Sequence, residues 1–339
     1  MQKVLLVTTP DGFFAQGEMP WSSLDLKIVT SGIADAGFQV RVVDYDYLKG
    51  NFNETKGYVI IFTSSQRVEH KNYIEDIMFL LKDDNLLIPR FDSLKAHDNK
   101  GFQCLMDRKY DLGLIPCDYF ADISEVRDEL VKYPYVFKPA NGASSTGVAI
   151  VKNKSELRRK LIDVLDYSFH DVKKSIKKYI FKKRYNEQWE RYIGFGKKRF
   201  ILQEFVPDLT YDYKIIIFGD KYYALKRFVA EDDFRASGSG FHSREFDDEI
   251  NLVLEKAHEF KGKYSSHIYS LDFCINNEQV QLIEFQFTHI GPVTLSDSTF
   301  YFIRHENGDW HKKYCKSNLE VEFTKSVLSY INENITFCS

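Results

Sequence analysis

No apolar run in this chain approaches the ~20 residues that a membrane-spanning helix requires. The opening residues, Met1 to Val7, form too short an apolar stretch for a secretory signal and read as a first strand. There is no C-x-x-C pair, which removes the common zinc and thiol-redox patterns. The five cysteines (Cys104, Cys117, Cys274, Cys315 and Cys338) are scattered and odd in number, which predicts reduced thiols in a cytosol. The G-x-x-x-x-G-K-[ST] spacing is absent, and no G-x-G-x-x-G follows the first strand, so neither a P-loop nor a dinucleotide-binding turn is expected. Repeats, coiled-coil heptads and low-complexity tracts are missing, and no recognised nucleic-acid module appears.

What is present is a 339-residue chain with 44% apolar and 28% charged residues, long enough for two or three domains. Its net charge of −3 is uneven: residues 152–199 hold 16 Lys/Arg against 6 Asp/Glu, a local +10 that leaves −13 elsewhere. Two readings of this basic segment stand. It is a solvated helical insertion packing through Leu157, Leu161, Val164 and Leu165. Alternatively it is a cationic surface for a polyanionic partner: an acidic saccharide, a nucleotide-sugar or a lipid-linked glycan.

Residues 1–95 alternate strand and helix: strands over 3–9, 39–45, 58–63 and 86–88, helices over 22–36 and 72–82. That order predicts a small parallel sheet. Thr8, Thr9, Ser64 and Ser65 fall at strand C-terminal ends, where open α/β sheets place ligands and where turn hydroxyls are also common. Helices are expected over 99–112 and 123–132, with a strand over 115–120 between them.

The run from Tyr135 to Val151 then places an apolar strand, Lys138, a small-residue loop and a second strand in series. Gly142 and Gly147 permit unusual backbone angles, and Ser144, Ser145 and Thr146 add hydroxyls to the exposed amides. Such a hairpin can fold N–H groups over polyphosphate while Lys138 supplies a point charge; it is also the composition of an ordinary turn. Downstream, a strand over 200–206 precedes a hairpin of 211–218 with 221–229, which carries Asp212, Lys214 and Arg227. Arg235 opens a second small-residue loop and can bind carboxylate or phosphate oxygens bidentately. A helix over 250–260 follows, then a hairpin of 269–275 with 280–287, and a closing helix over 318–332. In that second hairpin Asp272 lies 12 residues before Glu284 around a two-residue turn, and Gln286 shares a face with Glu284. Two carboxylates and an amide oxygen on one face suit Mg²⁺ completed by phosphate oxygens.

The ordered set Lys100, Phe137-Lys138-Pro139 with Gly142 and Gly147, Gln203-Glu204-Phe205-Val206, Asp212-Tyr213-Lys214, Arg227, Phe234-Arg235, Asp272 and Glu284-Phe285-Gln286 resembles that of ATP-grasp ligases over roughly residues 96–295. The resemblance implies an α/β (α+β) ATP-grasp fold with an N-terminal Rossmann-like domain (1–95), a small subdomain holding the glycine lid and the basic helical insertion 155–199 (96–206), and a C-terminal subdomain with the Mg²⁺ site (207–339). It implies that Lys100, Lys138 and Lys214 contact ATP phosphates and that Ser144, Ser145, Thr146 and Gly147 form a lid. Glu204 and Val206 would hydrogen-bond adenine through their backbones, flanked by Gln203 and Phe205. Asp212 would approach the ribose or order Lys214, and Arg227 and Arg235 would hold the reacting carboxylate. Asp272, Glu284 and Gln286 would hold one or two Mg²⁺, for which Mn²⁺ can substitute. The implied reaction activates a carboxylate as an acyl phosphate and joins it to an amine; an ATP-grasp kinase and a non-catalytic nucleotide-binding regulator are the alternatives.

Gln286 departs from the usual Glu-x-Asn of the family. The stretches 94–100 and 288–295 resemble ATP-grasp proteins associated with bacterial capsule or O-antigen synthesis, which implies amidation of a sugar acid with an amino acid. A cytoplasmic protein follows from that resemblance, peripheral at the inner membrane face for a lipid-linked acceptor, with a homodimer admitted and nucleic acid not expected as a partner.

Overall fold

The computed structural model describes residues 2–19, 21–127, 132–142, 147–163, 180, 188, 198–230, 235 and 240–334. Most of the basic insertion, the lid residues 143–146 and the segments 231–234 and 236–239 lie outside them. No helix among the described residues is long and apolar enough to cross a membrane. The chain forms two compact units: residues 1–98, 106–114 and 208–339 in one, 99–105 and 115–207 in the other.

The first unit begins with β1 (Lys3–Thr8), β2 (Gln39–Asp44), β3 (Val59–Ile61) and β4 (Leu86–Ile88), a parallel sheet in the order β2-β1-β3-β4. Its connections run through α1 (Leu26–Asp35), α2 (Tyr45–Gly50) and α3 (Val68–Leu81), followed by the short α4 (Phe91–Ala96). Successive residues of β1 serve opposite cores. Val4 and Leu6 pack with Val29 and Ile33 of α1, while Leu5 and Val7 pack with Ile74, Ile77 and Met78 of α3. Burial on both faces explains why this strand reads as a continuous apolar run.

The second unit holds α5 (Lys100–Tyr110), which ends in the first, and the strands β5 (Cys117–Phe120), β6 (Tyr135–Pro139), β7 (Ala149–Val151) and β8 (Phe200–Glu204). They form an antiparallel sheet in the order β5-β8-β6-β7. The apolar stripe Leu157 and Leu161 of α6 (Lys154–Asp163) packs on Phe137, Val151 and Phe200, the core of this unit. Of the helix expected over 123–132, Ile123–Glu125 form a 3₁₀ turn and Val126 is extended, while residues 128–131 lie outside the described residues.

The remaining strands belong to the first unit: β9 (Tyr211–Phe218), β10 (Lys221–Phe228), β11 (His242–Ser243), β12 (Ile268–Asn276), β13 (Gln279–Gln286), β14 (Phe300–Arg304) and β15 (Trp310–Tyr314). Their order is β13-β12-β9-β10-β14-β15, with β11 added on β10. The β14–β15 hairpin was not anticipated from sequence, although its turn carries Asn307-Gly308 with Gly308 at φ +93°; β15 is mostly exposed and lacks an apolar alternation to mark it as a strand. Three helices complete the unit: α7 (Glu249–Lys263), α8 (Val293–Ser296) and α9 (Leu319–Asn334). Phe323, Val327 and Ile331 of α9 join Val4 and Leu6 of β1 and Ile216 and Phe218 of β9 in one core. The first and last thirds of the sequence are thereby held together.

The expectation of five reduced thiols is overturned at one pair. Cys104 on α5 and Cys117 on β5 form a disulfide with Cα atoms 6.1 Å apart. The helix folding back on the strand brings the two together, a proximity that 13 residues of sequence separation does not announce. The cytosolic inference drawn from the cysteines loses its support. Cys274 is a buried free thiol and Cys315 an exposed one.

His267 is buried at the foot of β12, edge-on to Phe323, and its Nδ1 has no hydrogen-bond partner. Burial pushes its imidazole down to about 3 from the usual 6.5. The folded state therefore keeps this ring neutral while the unfolded chain protonates it below 6.5. Stability from this group is complete above pH 6.5 and is lost progressively as pH falls toward 3, at about 1.4 kcal/mol per pH unit. Urea unfolding of His267→Asn at pH 7 and pH 5 is expected to show a pH-dependent loss smaller than that of the wild type by about 2 kcal/mol; equal losses would refute a buried neutral ring.

Candidate functional site

Six of the charged and amide side chains picked out in the sequence gather on one face of the seven-stranded sheet. Asp212 and Lys214 are two apart on β9, Arg227 stands opposite Asp212 on β10, and Asp272 on β12 pairs with Lys214. On the other edge of β12, Asp272 lies directly opposite Glu284, and Ser270 opposite Gln286. The intervening residues Tyr213, Phe273 and Phe285 are buried.

The Asp272–Glu284 match depends on a register shift. The turn residues Asn277 and Glu278 both have positive φ, the signature of a type I′ hairpin. That turn alone would set Asp272 against Ile283. A bulge between Asp272 and Phe273 makes Ile283 the extra residue and moves Glu284 into place. Leu282 consequently faces the core with Phe273, whereas Glu284 and Gln286 share the face of Asp272 and Ser270.

The electrostatics of this face are those of a clamp. Arg227 donates to both oxygens of Asp212, Nε to Oδ1 at 2.6 Å and Nη2 to Oδ2 at 2.7 Å, and its Nη2 lies 2.9 Å from Asp272 Oδ2. Lys214 Nζ donates to Ser270 Oγ at 2.7 Å and stands 3.8 Å from Asp272 Oδ1. Burial pushes the Asp212 carboxyl up to about 6 against the pull of Arg227, so the pair is ionised at neutral pH. Burial lowers the Lys214 ammonium, opposed chiefly by Asp272. Burial works against the Arg227 charge as well, but Asp272 and Asp212 hold the guanidinium firmly protonated. Arg227 is thus committed to two carboxylates of its own chain. Ser270 was missed in the sequence; its place two residues before Asp272 on the same strand face is the signal that would have found it.

Gln286 Nε2 donates to Glu284 Oε1 at 3.3 Å. Among the described residues no cluster of three His, Cys, Asp or Glu side chains is placed to hold a metal. Asp272, Glu284 and the Gln286 amide nevertheless make a donor set of hard oxygens, which fits Mg²⁺ in kind.

The second unit presents the other part of the set. Lys100 opens α5; its backbone N–H donates to Ala140 O at 2.8 Å and its Nζ to Gly142 O at 2.7 Å. Gly101 is a steric necessity here, since a Cβ would come within 2.3 Å of the Tyr119 ring. Lys138 is buried on β6, two residues before Ala140. Gly142 and Gly147, at φ +123° and +74°, bracket the small-residue segment whose Ser144, Ser145 and Thr146 lie outside the described residues. On β8 Gln203 is buried and Glu204 exposed, and Phe205 and Val206 are partly buried. The Glu204 N–H donates to Pro116 O at 2.9 Å. Arg235 is partly buried, in the first unit, between segments outside the described residues.

His97 and His289, from the stretches 94–100 and 288–295, meet within the first unit. The rings of His97 and His289 stack with centroids 4.9 Å apart. His289 sits at φ +48° and its Nε2 contacts Ser64 O at 2.9 Å. Gly291 follows, its backbone so close to Lys214 that a Cβ would lie 3.7 Å from Cε.

No protein-family model and no curated protein sequence matches this chain. Solved structures do. D-cycloserine synthetase DcsG superposes with a TM-score of 0.55 at 13% identity, over 96% of this chain and 99% of that one. D-alanine–D-alanine ligase from Bacillus anthracis, solved with ATP, gives 0.51 at 11% identity over 99% and 98%. A RimK domain ATP-grasp protein from Sphaerobacter thermophilus gives 0.51 at 9% identity over 97% and 99%. The chain has the ATP-grasp fold. At these identities the likeness is one of architecture, and the chemistry rests on the chain's own residues.

The Asp212–Arg227 clamp gives a stability prediction. Asp212 is 3% exposed, so removing its cation leaves a buried carboxylate without its charge partner. Arg227→Met is expected to cost roughly 3–5 kcal/mol in urea unfolding, and Asp212→Leu added to it to recover most of that loss. A double variant as unstable as the single one would refute the clamp.

Proposed function

We propose that this chain is an ATP- and Mg²⁺-dependent carboxylate–amine ligase. The observation that carries the reading is the row Glu284–Asp272–Lys214, with Arg227 locked beside it, on an ATP-grasp fold. Alternating carboxylates and cations on one sheet face suit a reaction that brings anions together.

In this reading Lys100, Lys138 and Lys214 neutralise the ATP phosphates, the lid 143–146 covers them, and the Glu204 carbonyl and Val206 amide meet adenine. Asp272, Glu284 and Gln286 hold Mg²⁺, which when bound offsets phosphate charge. Arg227 acts by fixing Asp272, and Arg235 holds the substrate carboxylate. A carboxylate oxygen attacks the γ-phosphorus and ADP leaves; the amine nitrogen then attacks the acyl carbon, phosphate leaves, and the amine proton passes to solvent. Exclusion of water preserves the acyl phosphate between the two steps. The finer reading takes a sugar acid as the carboxylate and an amino acid as the amine, in polysaccharide synthesis in the cytoplasm. Its support is the resemblance of 94–100 and 288–295, stretches whose histidines stack.

Phosphate release with ATP and Mg²⁺ against a matrix of uronic acids and amino acids tests the proposal. Release that requires one acid together with one amine, and falls at least 100-fold in Asp272→Ala/Glu284→Ala, is expected. Transfer of phosphate to a hydroxyl with no free phosphate would establish a kinase instead. ATP binding with no turnover across the matrix would favour a regulator.

A further inference from the structure

The Cys104–Cys117 disulfide lies within the second unit, and no step of the proposed reaction uses it. Its surroundings give it a task. Gly101 and Cys104 are three apart on α5 and share one helix face. Cys117 and Tyr119 are two apart on β5 and share one strand face. The two faces meet. Cys104 is bonded to Cys117, and Gly101 sits so close to the Tyr119 ring that a Cβ would come within 2.3 Å. Helix and strand are thus joined by a covalent bond and, one turn away, by a contact that only glycine permits.

Lys100 is the residue before Gly101. Its backbone N–H donates to Ala140 O and its Nζ to Gly142 O, and Asn99 forms a short bridge with Asn141. Asn99 and Lys100 therefore hold the start of the glycine segment that follows β6. On its other side β5 pairs with β8: Cys117 lies opposite Gln203, and Pro116 O accepts from the Glu204 N–H. One disulfide thus fixes the helix that presents Lys100 to the strand beside Gln203 and Glu204, both assigned to the nucleotide in the ligase reading. Access to the bond is one-sided. Cys104 is 1% exposed, whereas Cys117 is partly exposed, so an attacking thiolate meets the Cys117 sulfur.

We propose that Cys104 and Cys117 are a redox-controlled positioning pair for nucleotide binding. Oxidised, they hold Lys100 against residues 140–142, where the ligase reading puts the ATP phosphates. Reduced, they let the start of α5 leave that place, and nucleotide binding weakens. The reductant is a dithiol. One of its thiolates attacks the Cys117 sulfur, the S–S bond breaks, and Cys104 leaves as a thiolate that takes a proton. The second thiolate of the dithiol displaces Cys117, which is protonated in turn, and the dithiol ends as its own disulfide. Two electrons and two protons pass from the dithiol to the protein. The effect on nucleotide rests on the ligase reading; the release of Lys100 does not.

The test compares the full chain purified without reductant and the same chain treated with dithiothreitol. Alkylation of Cys104 and Cys117 under denaturing conditions, read by mass spectrometry, is expected only after reduction. In calorimetry the reduced chain is expected to bind ATP with Mg²⁺ about tenfold more weakly. Cys104→Ala/Cys117→Ala should match the reduced chain and ignore dithiothreitol; if that variant does not fold, the comparison on the wild-type chain decides. Hydrogen exchange gives a readout free of nucleotide. The Lys100 N–H, bonded to Ala140 O, is expected to exchange at least tenfold faster after reduction. A bond that only stabilises the fold would lower the melting temperature on reduction and leave the affinity for ATP unchanged. Equal ATP affinity in the two states overturns the control and leaves the ligase reading intact. No ATP binding in the oxidised chain overturns the nucleotide part of both, and unchanged exchange at Lys100 overturns its release. Alkylation of the pair without reduction refutes the disulfide itself.

Discussion

One extra residue in β13 decides what the seven-stranded sheet can do. Side chains alternate along a strand, so a slip of one residue exchanges its two faces. Ile283 supplies that slip. Before it, Leu282 faces the core; after it, Phe285 and Phe287 do, and Glu284 and Gln286 are released to the face of Asp272. Without the bulge the acidic pair would be divided between the two faces, with Glu284 and Gln286 in the position of the buried aromatics.

The cations follow from the same row. Three carboxylates on one face would repel one another, and Arg227 and Lys214 offset them from the neighbouring strands. Because Arg227 is held by Asp212 as well as Asp272, the Asp272 carboxylate is fixed from the side of β10. Lys214 is tied to Ser270, and the loop after β13 reaches the end of β3 through His289, which contacts Ser64 O. The N-terminal parallel sheet and the seven-stranded sheet share a core.

Much of this was legible beforehand because it is local. The alternation of strand and helix over the first 95 residues, the Gly219-Asp220 hairpin and the placing of Asp272 and Glu284 on facing strands of one hairpin follow from short-range patterns, while their direct opposition takes the bulge at Ile283. Even the bulge leaves a trace, since the apolar alternation of Val280 and Leu282 changes phase at Ile283 before Phe285 and Phe287. Other features were illegible for stated reasons. Val126 falls where a helix was expected, yet its backbone is extended and its side chain is buried in the second unit's core, a tertiary override of propensity. The 300–314 hairpin carries Asn307-Gly308 at its turn, but its outer strand is exposed and shows no apolar alternation.

The sequence by itself determined the elements and the residue types of the chemistry: the glycine hairpin with Lys138, the acid pair of the last hairpin, and the order that resembles ATP-grasp ligases. Periodicity and turn chemistry operate within about a dozen residues and need no knowledge of what packs where. Only the tertiary structure decided that Arg227 serves Asp212 and Asp272, that Ser270 receives Lys214, and that Cys104 reaches Cys117. Each joins positions whose proximity is set by the packing of separate elements, and no local pattern in the chain encodes that packing.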